Sequence, residues 1–107
     1  MDGEENKRHI RARFWRKLLR LTRGRVPILK ALQVVEAEEK DSSFQQAVAN
    51  IRRLLEQEEK SLSEALATEP RFFSLSVIEL IRAAEKTGAW DEILAEIADG
   101  IEEGTFD

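Results

Sequence analysis

The sequence predicts an all-α protein, a compact six-helix bundle arranged as two groups of three helices. Three observations predict it. Apolar residues recur at spacings of three and four along most of the chain, and no segment alternates with period two. Glycine (5) and proline (2) are scarce among the 107 residues, which argues against a turn-rich sandwich or barrel. Helix stop and start signals fall between the periodic runs.

The first helix is expected from about Arg8 to Arg23, with Ile10, Phe14, Leu18 and Leu21 on a stripe flanked by Trp15 and Leu19. Arginines fill its other face, and Gly24 stands where a C-cap glycine belongs. Pro27 opens a second helix that runs to about Glu39, with Ile28, Leu29, Ala31, Leu32 and Val35 inward. The connection is so short that the two helices must be neighbours. Lys40 to Ser43 reads as a turn, with a serine as the next cap. The third helix, about Ser43 to Glu59, buries Phe44, Val48, Ile51 and Leu55.

Ser61 to Glu64 is a capping box, in which the serine side chain binds an N–H of the first turn and the glutamate binds back. It opens a short fourth helix that ends before Pro70, and Phe72 and Phe73 in the following link are expected to plug the core. Ser76 to Glu79 is a second box, with Ser74 as a competing cap. The fifth helix runs to Thr87 with Val77, Leu80, Ile81 and Ala84 inward, and Gly88 supplies the positive φ that ends it. The sixth begins near Ala89 or Trp90 with Trp90, Leu94, Ile97 and Ile101 on its stripe, and Gly100 and Gly104 loosen a frayed end. The expected core is Phe14, Leu18, Leu32, Val48, Ile51, Phe73, Leu80, Ile81, Leu94 and Ile97. The layout is a flexible leader over residues 1–7 and one bundle over residues 8–103.

Charge divides the chain. Lys7, Arg8, Arg11, Arg13, Arg16, Lys17, Arg20, Arg23 and Arg25 occupy residues 7–25 without an acid among them. The remainder, from residue 26 on, is strongly acidic, and the whole carries a net charge of −4. A basic helix on an acidic body suits an anionic membrane surface or an acidic partner, or a phosphate backbone. Nucleic acid is the weaker reading, because Phe14 and Trp15 are needed by the core and the acidic body repels phosphate.

Several chemistries are excluded. With no cysteine and only His9 as a histidine, disulfides, thiolate zinc sites and a Ser-His-Asp triad drop out. No phosphate-binding glycine loop or nucleophile elbow is present. Glu92, Glu96 and Asp99 share a face of the sixth helix, but they lack calcium-loop spacing, so no cofactor and no divalent cation is expected. His9 reads as an exposed residue, and Trp15 and Trp90 as core or interface anchors. No apolar run reaches the roughly 18 residues of a membrane span, and the acidic start lacks the apolar stretch of a signal peptide.

One series of residues is more specific than its parts: Phe14, Arg16, Leu18 and Leu21; Val26, Pro27, Ile28, Ala31 and Leu32; Ser61, Leu62, Ala65, Leu66, Pro70 and Phe73; Glu85, Gly88 and Leu94. In that order and spacing the chain resembles the cytoplasmic domain of the inner-membrane platform protein of type II secretion and type IV pilus machines, the secretion protein F and pilus PilC family. Relatives carry glycine where this chain has Arg25 and Glu59, and often leucine at Trp90. A turn shifted by one residue, onto Gly24, is the expected accommodation.

The resemblance implies a non-enzymatic scaffold at the cytoplasmic face of the bacterial inner membrane, one repeat of a larger membrane protein. It implies contacts with the secretion ATPase and other inner-membrane components, and a weak homodimer. Phe14, Arg16, Pro27, Leu62, Pro70, Phe73, Glu85 and Gly88 are then structural motif residues. Arg16 is expected to pair with the acidic body, for example with Glu85, leaving Arg13, Lys17, Arg20 and Arg23 for partners. The alternative is a free-standing soluble helical protein that binds nucleic acid through the basic first helix.

Overall fold

A computed structural model of the protein describes the backbone of residues 3–106 and the side chains from Lys7 to Phe106. Six helices follow one another: α1 (Gly3–Arg23), α2 (Ile28–Glu38), α3 (Ser42–Glu58), α4 (Leu62–Leu66), α5 (Leu75–Thr87) and α6 (Trp90–Glu103). Each packs on its neighbour in sequence, and α1 returns to lie along α6, its most extensive partner. The runs α1–α3 and α4–α6 are thereby joined at both ends. Among the described residues there is no strand.

The first helix starts earlier than about Arg8. Of the leader expected over residues 1–7, Met1 and Asp2 lie outside the described residues, and the helix already runs from Gly3. Two caps also differ. Asp41, not a serine, caps α3, its carboxylate accepting from the Phe44 N–H at 2.9 Å. Ser74, not Ser76, caps α5. Ser74 lies between Phe73 and Ile78, the N′ and N4 positions of a hydrophobic staple, and both of these are buried. Starting α5 there turns its buried face onto Val77, Ile78, Ile81 and Ala84. Leu80 is therefore only partly buried, and Ile78 fills the core place expected of it. On α3 the expected Leu55 is likewise only partly buried and Leu54 is buried, while Phe14, Leu18, Leu32, Val48, Ile51, Phe73, Ile81, Leu94 and Ile97 are buried as expected.

The centre is aromatic. Phe14 is fully buried and meets Trp15 edge-on at 5.0 Å, Phe44 edge-on at 5.4 Å and Phe73 at 5.8 Å between ring centroids. Phe72 stacks edge-on against Phe44 at 5.1 Å. The residues after Pro70 thus plug the core, with the offset and edge geometries that aromatic quadrupoles favour.

The last turn of α6 is tied down rather than frayed. Gly104 adopts φ 82°, and the N–H groups of Thr105 and Phe106 donate to the Gly100 carbonyl. Phe106 lays its ring over Gly100, where any Cβ would collide with it. Among the described residues two that are not glycine have positive φ, Arg25 at 70° and Glu59 at 55°. These are the positions at which the resemblance leads one to expect glycine. The turn has not shifted onto Gly24; the backbone keeps its left-handed conformation and a side chain bears the strain.

Candidate functional site

The outward face of α1 carries a hollow of about 510 Å³, floored by Ala12 and walled by Arg8, His9, Arg13, Arg16, Lys17, Arg20 and Glu102. Helical spacing builds it. Phe14, Trp15, Leu18 and Leu19 turn fully inward, which leaves the positions between them facing out. Ala12 is short enough to form a dent between longer neighbours.

Most of the cations around the dent already have partners. The Arg13 Nη2 donates to Glu39 Oε2 at 3.1 Å, and Lys17 Nζ donates to Glu38 Oε1 at 3.0 Å, both at the end of α2. On the other flank Arg16 donates to Asp99 Oδ1 at 2.9 Å and, through Nε and Nη2, to Glu102. The hydrogen bond to Glu102, and after it that to Asp99, raises the Arg16 pKa above the ordinary guanidinium value. Arg16 therefore pairs with the acidic body as expected, but with α6 and not with Glu85. Arg20 and Arg23 are exposed and make no ion pair among the described residues. The Arg8 guanidinium stands beside Gly104, at the negative end of the α6 dipole.

Of the four cations expected to serve partners, then, Arg20 and Arg23 are unengaged, while Arg13 and Lys17 are engaged within the chain. Arg23 overlooks a second hollow on α6 with Glu92, Glu96 and Glu103. Among the described residues no group of three or more potential ligands is placed to hold a metal ion, and no helix is long and apolar enough to cross a membrane. Phe14 and Trp15 are fully buried, so the basic helix offers neither of its aromatic rings for base stacking.

Three buried polar residues escaped the sequence reading. Arg11 is 7 % exposed and does not share the outward face with the other arginines of α1. Its spacing from Phe14, Trp15 and Leu18 puts it on the inner face, and that periodicity was available in the sequence. Glu39 follows the buried Val35 by four residues; its side chain is 2 % exposed and also accepts from the Asp41 N–H at 3.0 Å. Ser63, at the start of α4, is buried beneath Glu85, which accepts from its N–H at 2.9 Å and from its hydroxyl at 2.7 Å.

The type II secretion system (T2SS) protein F family matches residues 14–106. The chain belongs to this family. No curated protein matches the chain. Family proteins are inner-membrane platform components of the secretion machinery, structural parts that serve protein transport and pilus biogenesis. Phe14, Leu62 and Phe73 are core, Pro27 is the residue before α2 with φ −60°, and exposed Pro70 follows α4. Glu85 holds the start of α4, and Gly88 ends α5 at φ 81°. The Ser61–Glu64 capping box is present, and the Ser61 N–H keeps the Glu64 carboxyl below the ordinary carboxylate range.

Proposed function

We propose that the protein is a cytoplasmic scaffold domain of the platform at the inner membrane of a type II secretion or type IV pilus machine. In this reading it contacts the assembly ATPase and other inner-membrane components and supports pseudopilin or pilin assembly. The observation that carries the reading is the family match from Phe14 to Phe106, which takes in nearly the whole bundle. The division of labour on α1 supports it. The family-motif residues Phe14 and Arg16 fasten the helix to the bundle, and Arg20 and Arg23 stay open to a partner. Weak self-association through the outward surfaces of α1 and α6 belongs to the same reading, and sedimentation at high micromolar concentration detects or dismisses it.

The test is made in the native host. The tagged protein is expected to copurify with the machine's ATPase after mild crosslinking, and deletion of its gene to reduce export of the machine's substrates. Normal export after deletion, with no machine component captured, ends the reading.

A further inference from the structure

We propose that the hollow over Ala12 docks an acidic helical segment of a partner protein. The inference rests on the reading of α1 as a contact face, and it chooses among the anionic surfaces that such a face could meet.

The ion pairs make the choice. Around the hollow, Arg8, Arg13, Arg16, Lys17 and Arg20 stand beside Glu38, Glu39, Asp99 and Glu102 of the same chain. A flat anionic bilayer senses the sum of these charges, which is close to zero, because its field acts over a screening length of about 8–10 Å. A discrete carboxylate placed in the dent senses something else. Glu38, Glu39 and Asp99 do not line the hollow, and the charged side chains that do are Arg8, Arg13, Arg16, Lys17 and Arg20 against the single acid Glu102. The Arg13 guanidinium spends Nη2 on Glu39, its side chain is 47 % exposed, and a guanidinium has further N–H donors for a second carboxylate.

Shape points the same way. From Arg8 to Arg20 the helix rises about 18 Å, the length of three to four turns of a partner helix. Exposed Arg8 and Arg20 mark the two ends. Ala12 lies between them, where a small residue of the partner can approach closely, and the aliphatic stems of Arg13 and Arg16 form the walls. A helix with carboxylates toward both ends and a small residue between them complements this surface. A bilayer cannot enter the dent.

The test uses a helical peptide of about sixteen residues, long enough for the hollow, with glutamates toward both ends around a central alanine. A lysine-substituted twin and vesicles containing anionic phosphatidylglycerol serve as comparisons. The protein is expected to bind the acidic peptide and neither comparison. Arg8→Glu with Arg20→Glu is expected to weaken binding by about tenfold or more, since close charge pairs across an interface couple strongly. Lys30→Glu, a reversal of an exposed cation on α2, is expected to leave it unchanged. Circular dichroism checks the fold, and if the double reversal unfolds the protein, Arg20→Gln alone is read instead. Three results overturn the proposal: no peptide binding, peptide binding indifferent to Arg20, or vesicle binding with the same sensitivity. Crosslinking in the host separates this failure from that of the scaffold reading. Copurification of the ATPase that survives reversal of Arg8 and Arg20 removes the docking site and leaves the scaffold role standing.

Discussion

The α2–α3 junction and the α3–α4 junction solve one problem in two dielectric settings. Each must satisfy the backbone at the start of a helix with little chain to spare, and each recruits a glutamate. At the first, Glu39 is sealed from solvent, accepts from the Asp41 N–H, and has its charge met by Arg13 from α1. At the second, exposed Glu85 reaches over from α5 to the N–H and hydroxyl of Ser63 and makes no ion pair among the described residues. A buried carboxylate demands a countercharge, whereas one in contact with water is held by neutral donors and the positive end of a short helix. Arg13 is therefore a structural residue before it is a contact residue.

The largest effect should come from breaking the sealed junction on its cationic side. Arg13→Ala leaves the Glu39 carboxylate buried with only the Asp41 N–H, and should cost about 3 kcal/mol. Glu39→Gln keeps an acceptor for that N–H and leaves the cation half-exposed, so it should cost less, about 1 kcal/mol. The double variant should recover part of the Arg13→Ala loss, because the stranded charge is gone. Urea denaturation checks all three. If Arg13→Ala costs no more than the loss of an exposed surface pair, the contrast between the junctions is false.

Opening the second junction should cost less. Glu85→Ala strands the N–H of Ser63, which is 3 % exposed, while the hydroxyl keeps the Ser61 hydroxyl at 3.2 Å, and should cost about 1–2 kcal/mol. Glu85→Gln retains an acceptor and should cost about half as much. Equal losses in the two variants would mean that the negative charge, rather than hydrogen-bond capacity, does the holding.

How much of this could be read from the sequence follows from the range of each interaction. The helices, the α4 capping box and the Gly88 terminus depend on residues within four positions of one another, and periodicity exposes them. On α5 one inward position differs, Ile78 in place of Leu80, because both border the stripe of Val77, Ile81 and Ala84 and only packing chooses between them; Ser74 and Ser76 both satisfy a cap pattern, and the buried Phe73 and Ile78 favour Ser74. The partners of Arg16 were beyond reach. Asp99 and Glu102 lie more than eighty residues away, and they come near only because α1 closes on α6. The candidate contact face was half legible for the same reason. Sequence shows that α1 is basic, while the acids that occupy Arg13 and Lys17 come from the end of α2.

The smallest effect expected is a gain, and it concerns the residue that ends α3. Glu59 sits at φ 55°, where a Cβ crowds the backbone and a left-handed residue costs roughly 1–2 kcal/mol. The conformation is kept because it turns the N–H groups of Glu59 and Lys60 back onto the Leu54 carbonyl and aims the chain at Ser61, the cap of α4. Glu59→Gly removes the strain. It also frees the unfolded chain, which offsets part of the gain. The net expectation is about 0.5–1 kcal/mol of added stability, read as a higher urea midpoint at unchanged slope. Glu59→Asn, which tolerates the left-handed region better than glutamate, should gain part of this, and Glu59→Ala, which keeps the Cβ and loses the charge, should gain nothing. If alanine stabilises as much as glycine, the benefit comes from removing a carboxylate near Glu56 and Glu58, and backbone strain at this junction is not its weak point.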